Sequence, residues 1–312
     1  VTEGVPERLG IGRVVAEQAG AVADRREGGA AGRAAGCRTV LLGDDGVAEG
    51  AAAGTVVAVG ETVIEAAAAV DEVVDVQPVF ACQAPGEIVA AHAAQRVGVG
   101  VLEGNVEHGD SLGNKGIIST GDVQWMTAGS GIIHQEMPKG DPHGAMHGFQ
   151  LWANLPQAQK MMPPRYRGIT ADQIPEVELA EGIKVKVIAG SIGKAQGPMD
   201  DIVIDPEYFD CTVPDGRTFV HQTHPEYTAF IYVIDGVGKT AGEALENGKL
   251  VLFDEGDQLA VSAAGEPLRF LMLTGKPLNE PVAWRGPIVM NTQAELELAF
   301  REYREGTFIK NK

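Results

Sequence analysis

From residue 101 onward, short apolar runs alternate with glycine-bearing turns. Val101 to His108 reads as strand, with a turn at Leu102-Glu103-Gly104, and Ser111 to Gly116 is turn-rich. Gly121-Asp122 opens a turn before the apolar Val123-Gln124-Trp125-Met126, and Gly129-Ser130-Gly131 breaks the chain again before Ile132-Ile133-His134. Between Gly148 and Leu155, Phe149, Leu151 and Ala153 alternate with Gln150, Trp152 and Asn154, the period of a further strand. Short strands spaced roughly 8–12 residues apart by glycine turns predict an all-β barrel or sandwich. Pro163-Pro164 and Pro175 mark an irregular stretch, and Met161 to Pro164 reads as a linker between two barrels.

The pattern then repeats. Tyr227 to Ile234 is an apolar strand ending in Asp235-Gly236, matching the approach to Leu102-Glu103-Gly104. Glu255-Gly256-Asp257 and Ala263-Ala264-Gly265 match Thr120-Gly121-Asp122 and Thr127-Ala128-Gly129. Two copies of one β unit predict two barrels of similar topology. The end of the chain differs. Thr292-Gln293-Ala294-Glu295 has the form of a capping box, and Leu296, Ala299, Phe300 and Tyr303 follow at helical spacing. An amphipathic C-terminal helix that packs on a barrel is expected.

The first hundred residues read differently. They contain no Lys, Trp or Tyr and one aromatic, Phe80, and they are dominated by Ala, Gly and Val. Cores are anchored by large side chains, of which this segment has few. The expected organisation is an atypical segment over 1–100, the remainder of a first barrel over 101–170, a second barrel over 171–290, and a helix with its tail over 291–312.

Composition narrows the function classes. The 312 residues suffice for two domains, and a net charge of −18 disfavours direct contact with nucleic acid. No apolar run approaches the ~20 residues needed to cross a bilayer, so a cytoplasmic protein is expected. Cys37, Cys82 and Cys211 form neither a CxxC pair nor a disulfide framework.

His134-Gln135-Glu136 is the sharpest chemical pattern. On a strand, residues i and i+2 share a face, so imidazole and carboxylate project together. Such a pair is two-thirds of a two-His–one-carboxylate set, which suits non-haem Fe(II) and leaves positions open for oxygen or substrate. Taken alone, H-x-E is more often an ordinary polar pair. His143 and His147 read as loop or strand-end histidines, with His147 near the barrel mouth, and His221 and His224 fall in the second repeat.

The surroundings of the pair are more specific. Gly121 to Pro138 (GDVQWMTAGSGIIHQEMP) resembles the second cupin motif as it occurs in pirins. His147 to Pro156 (HGFQLWANLP) and Lys160 to Tyr166 (KMMPPRY) resemble the pirin signature that follows it. The resemblance covers residues 101–295. It implies two cupin barrels, of the double-stranded β-helix or jelly-roll kind, with a short C-terminal helix.

The resemblance also implies one iron in the N-terminal barrel, held by three His and one Glu. The later two ligands fall on His134 and Glu136. The earlier two belong to an H-P-H motif. Counting back from Gly104 places its second His on His92, its Pro on Ala91 and its first His on Ala90. His224 lies as far before Gly236 as His92 lies before Gly104.

The metal ligands implied here are therefore His92, His134 and Glu136, with Ala90 in place of a fourth. The flanking Ala91 to Gly100 also departs from the family pattern, which fits a shifted reading of an ordinary family start, with genuine divergence as the alternative. Fe(II) is the implied cofactor, another divalent transition metal the alternative. The implied activity is of the quercetin 2,3-dioxygenase type, on a flavonol-like substrate and O2, with Glu136 as ligand, base or both. Iron-dependent binding of a protein partner, or a scaffold with a defective metal site, are the alternatives. The second barrel is expected to be metal-free, because the apolar Leu268-Arg269-Phe270-Leu271 stands where His134 would be.

Overall fold

The computed structural model describes residues 38–40, 58–64, 89–91, 94–139, 146–254 and 256–310, with the first three stretches and residues 94–99 described by backbone alone. The described chain divides into two compact units: residues up to 171 together with 278–310, and residues 172–277.

The first unit opens with β1 (Arg38–Val40), β2 (Ala58–Ile64), β3 (Val89–Ala91), β4 (Ala94–Glu103) and β5 (Asn105–Asp110). It continues with β6 (Lys115–Ser119), β7 (Val123–Thr127), β8 (Ile132–Pro138), β9 (Met146–Asn154) and β10 (Arg165–Ile169). A six-stranded sheet runs β1-β2-β9-β4-β7-β10 and a four-stranded sheet runs β3-β8-β5-β6. The sheets face each other: Val101 and Met146 from one pack with Val106 and Ile118 from the other. Side-chain alternation drives this layering. Along β5, Val106 is buried, Glu107 exposed and His108 buried.

The second unit holds β11 (Glu176–Glu178), β12 (Lys184–Ala189), β13 (Ser191–Ile192), β14 (Ala195–Gln196), β15 (Glu207–Val213) and β16 (Thr218–Gln222). Then come β17 (Thr228–Asp235), β18 (Gly238–Thr240), β19 (Glu243–Leu245), β20 (Leu250–Leu252), β21 (Gln258–Ala263) and β22 (Leu268–Gly275). Its sheets run β11-β12-β15-β22-β17-β20 and β16-β21-β18-β19. They enclose one apolar core that includes Val187, Phe209, Phe219, Ile231, Val261, Phe270 and Met272. Cys211 is buried in it, and burial raises its thiol pKa well above the usual value, so it is an inert core residue.

The duplication is real, but its register differs from the one read off the turns. The order β2-β9-β4-β7 recurs as β15-β22-β17-β20, and β3-β8-β5-β6 recurs as β16-β21-β18-β19. β21 therefore occupies the place of β8, and Gly256-Asp257 precedes that strand rather than the counterpart of β7. Similar turn dipeptides recur before different strands, while backbone pairing decides equivalence. Gly104 and Gly236 do correspond. Both turn with positive φ, 94° and 90°, and a Cβ on Gly236 would lie 2.0 Å from the Pro267 carbonyl oxygen, so only glycine fits.

The stretch Met161 to Pro164 does not link the two units. It returns the chain from β9 to β10, which pairs with β7 inside the first unit. Gly129, at φ 52°, packs its turn against this stretch, and the Ser130 N–H donates to the Met162 carbonyl at 2.8 Å.

Residues from 278 complete the first unit. β23 (Ala283–Arg285) and β24 (Ile288–Met290) form a hairpin, followed by α1 (Gln293–Glu305). The expected capping box is present: Thr292 Oγ1 accepts from the Glu295 N–H, Glu295 accepts from the Thr292 N–H, and Gly306 closes the helix in a left-handed conformation. Leu296 and Ala299 are buried with Ile288, Met290 and Phe308, and Ile133 of β8 packs against the same cluster. Tyr303, also expected on the apolar stripe, is 40 % exposed.

A polar knot ties this segment down. The buried Lys160 ammonium donates to Asn154 Oδ1 at 2.7 Å and to the Leu155 carbonyl at 2.9 Å. Glu280 accepts from the Gln157 N–H and from Asn291 Nδ2. Burial lowers the Lys160 pKa to about 8, with Glu280 and Glu295 pulling it back up. The unfolded chain keeps this proton up to the ordinary value of 10.5, so it binds more protons than the folded chain above about pH 8, and stability rises with pH there. Relative to Lys160→Met, the native protein should gain on the order of 1–2 kcal/mol between about pH 8 and 9.5 in denaturant melts. A constant difference across that range would show an amine that titrates normally.

Candidate functional site

Strand alternation places His134 and Glu136 on one face of β8, as the sequence predicted. Nδ1 of His134 lies 3.6 Å from Oε1 of Glu136, with side-chain exposures of 3 % and 20 %. The neighbouring strand β5 sets His108 opposite Glu136 and Asp110 opposite His134. From the facing sheet, Gln150 of β9 donates through Nε2 to Glu136 Oε2 at 3.2 Å. The carboxylate therefore lies between the two sheets.

Two further residues join the pair. The Tyr166 hydroxyl, on β10, lies 2.9 Å from Nε2 of His108, and the two rings stack with centroids 5.1 Å apart. Space for them is left by glycine: a Cβ on Gly116 would meet His108 Nε2 at 3.1 Å, and one on Gly168 would meet the Tyr166 hydroxyl at 3.4 Å. Burial lowers the His108 pKa against the opposing pull of Asp110. Burial also pushes the Tyr166 phenol up to about 12, helped by the negative charges of Asp110 and Glu136. Sequence reasoning missed His108, Gln150 and Tyr166. The Val106-Glu107-His108 alternation was the available signal for the first. The other two lie in the stretches that carry the family resemblance, Gln150 within His147 to Pro156 and Tyr166 at the end of Lys160 to Tyr166, but no spacing there set them beside Glu136.

His92 and His143 lie outside the described residues. β3 does run beside β8, with Val89 opposite His134 and Ala90 opposite Ile133. His147 sits one residue from Gly148 on β9 and so alternates to the face opposite Gln150; its ring packs at 5.4 Å from Phe149. It does not join the site.

The second unit has no such pair. Counting from the paired glycines Gly104 and Gly236 through the β18–β21 register, Leu259 stands for His134 and Val261 for Glu136, both buried in the core. The apolar replacement expected at Leu268–Leu271 thus lies one strand earlier, for the reason of register given above. His221 is held by Glu207, with Nε2 3.0 and 3.1 Å from the two carboxylate oxygens. His224 stacks on Tyr227 at 4.6 Å. Among the described residues, no group of three or more His, Cys, Asp or Glu is placed to hold a metal.

Residues 91–153 match the family profile described as Pirin, and residues 208–309 match the one described as Pirin C-terminal cupin domain. A Pseudomonas aeruginosa protein provisionally named as a quercetin 2,3-dioxygenase is 42% identical over 214 residues, 66% of this chain and 74% of that protein. The chain belongs to the pirin family. Pirin-1 of Arabidopsis thaliana is 42% identical over 212 residues, covering 65% of this chain and 71% of the relative. The crystal structure of a quercetin 2,3-dioxygenase from Acinetobacter baumannii superposes with a TM-score of 0.71 at 29% identity, covering 80% of this chain and 85% of that one. This pirin is thus all-β with the cupin fold in each unit, as expected. Its two sheets face each other in each unit, and no ladder joins them among the described residues.

The His108–Tyr166 contact is testable by itself. Gly116→Ala pushes a methyl group at the imidazole, and Tyr166→Phe removes the hydroxyl. Each should cost about 1 kcal/mol in urea melts, and the double variant no more than either single one, because both break the same hydrogen bond.

Proposed function

We propose that this pirin is an iron-dependent oxygenase of flavonol-like aromatic substrates, of the quercetin 2,3-dioxygenase type. The observation that carries the reading is the His134–Glu136 pair, 3.6 Å apart between two sheets. An imidazole nitrogen and a carboxylate oxygen on one strand face suit shared coordination of Fe(II), with another divalent transition metal as the alternative. His92 is the third donor in this reading. The relatives from Pseudomonas aeruginosa and Acinetobacter baumannii, whose names carry this activity, support it.

The bound iron supplies Lewis-acid polarisation of substrate oxygens and access to molecular oxygen. The chain supplies the rest. Gln150 orients the Glu136 carboxylate through its amide N–H. Glu136, besides holding metal, takes the proton of the substrate hydroxyl, which needs only hydrogen-bond reach. Val106 and Ile132, each two residues before His108 and His134, are 2 % and 0 % exposed and exclude water behind the pair. The reading places the protein in the cytoplasm; no described helix is long and apolar enough to cross a membrane.

Elemental analysis of the full chain should find about one iron per chain, lost when His134→Ala and Glu136→Ala are combined and reduced by His92→Ala. The iron-loaded native protein should consume oxygen when given quercetin. Iron retained in the double variant would remove the assigned ligands, and iron without quercetin-dependent oxygen uptake would remove the activity.

A further inference from the structure

The stacked His108–Tyr166 pair has no part in holding metal in the reading above, on which this inference rests. Yet it stands beside Glu136: His108 faces Glu136 across β5 and β8, and the charge of Glu136 is felt at the Tyr166 phenol. His108 is 8 % exposed, and its Nδ1 is buried with no hydrogen-bond partner among the described residues. That orphan atom decides which way the bond to Tyr166 runs. If Tyr166 donated to Nε2, the neutral ring would carry its proton on Nδ1 and bury an unanswered N–H donor. Orphaned buried N–H groups are the rarer kind. With the proton on Nε2, His108 donates to the Tyr166 oxygen, and Nδ1 is left only as a bare acceptor.

This direction has a chemical consequence. The Tyr166 oxygen is then occupied as an acceptor, and its own proton is unspent. Burial and the carboxylates of Asp110 and Glu136 keep that proton on the phenol at neutral pH. The phenol is also the more exposed member of the pair, half-buried where His108 is buried. We propose that Tyr166, positioned by His108, donates a hydrogen bond to an oxygen of the bound aromatic substrate, stabilising that oxygen as an anion when Glu136 takes its proton. The proton moves from the substrate hydroxyl to the Glu136 carboxylate, and Tyr166 keeps its own. Such donors are most effective where charge develops away from water.

The test is an oxygen-free titration of the iron-loaded full chain with 4-nitrocatechol, whose absorption band reports whether its hydroxyl is ionised. Native protein should bind it as the anion. Tyr166→Phe should keep its iron, weaken binding about tenfold, and shift the bound band toward the neutral form. His108→Leu should give part of the same shift, because the tyrosine loses its positioning partner. Binding and band unchanged in Tyr166→Phe would overturn the proposal, as would weaker binding with no change of band, the mark of a merely structural role. No binding to the native protein would overturn it together with the substrate reading. Native binding without quercetin-dependent oxygen uptake would remove the dioxygenase activity and leave the tyrosine's role supported.

Discussion

The site rests on one strand having two unlike neighbours. β8 carries Ile133 between Ile132 and His134, and adjacent side chains on a strand point to opposite faces. His134 and Glu136 therefore enter the space between the sheets only because Ile133 is received on the other side, by Leu296, Ala299, Ile288 and Phe308. A one-residue slip would turn the apolar residue inward and the donors outward. The register is pinned from both edges, by β3 and by β5. The capping box that starts α1 is thus part of how the pair is held, although it touches neither residue.

The second unit shows what the same strand layout becomes without that demand. Leu259 and Val261 fill the places of His134 and Glu136, and the interior closes around the Phe219–Phe270 contact, with ring centroids 5.9 Å apart. This unit also holds a His–Glu pair, and the contrast is informative. His221 and Glu207 meet at 3.0 Å, and Thr274 donates a further hydrogen bond to the carboxylate. Here a partly buried imidazole and carboxylate close to hydrogen-bond distance. At 3.6 Å, His134 and Glu136 stand further apart than that, with the carboxylate steered by Gln150 from the opposite sheet.

Much of this was legible along the chain because it is local. The H-x-E pair needs only strand period, the capping box only three residues of spacing, and Gly104 and Gly236 only a tight turn. What was not legible arises from pairing. Tyr166 reaches His108 from 58 residues away, and no local pattern marks a tyrosine on an edge strand as part of a site. The repeat was visible but its register was not, because Gly-Asp and Ala-Gly turns precede more than one strand, and ladder partners decide which strand is equivalent. The segment 161–164 looked like a linker for a similar reason. Its two prolines break regular structure, but nothing in them says that the chain returns to pair with β7.

The first unit takes backbone from its opening residues and apolar side chains from the last residues of the chain. Ladder hydrogen bonds come from the backbone, so Ala-, Gly- and Val-rich strands such as β2 pair as well as any: its seven residues run antiparallel to β9 from Ala58 opposite Trp152 to Ile64 opposite Met146. A ladder, however, does not fill a core. Met126, Ile132, Met146 and Trp152 contribute to the described apolar clusters of the first unit. Residues from 278 onward add to these clusters. Trp284 stacks with the buried Trp152 at 6.5 Å, Val289 packs beside it, and Ile288, Leu296 and Phe308 cover the back of β8. The hairpin and helix at the chain's end thus supply the first unit with apolar volume, and Lys160, through Asn154 and Leu155, helps fix the ground on which they sit.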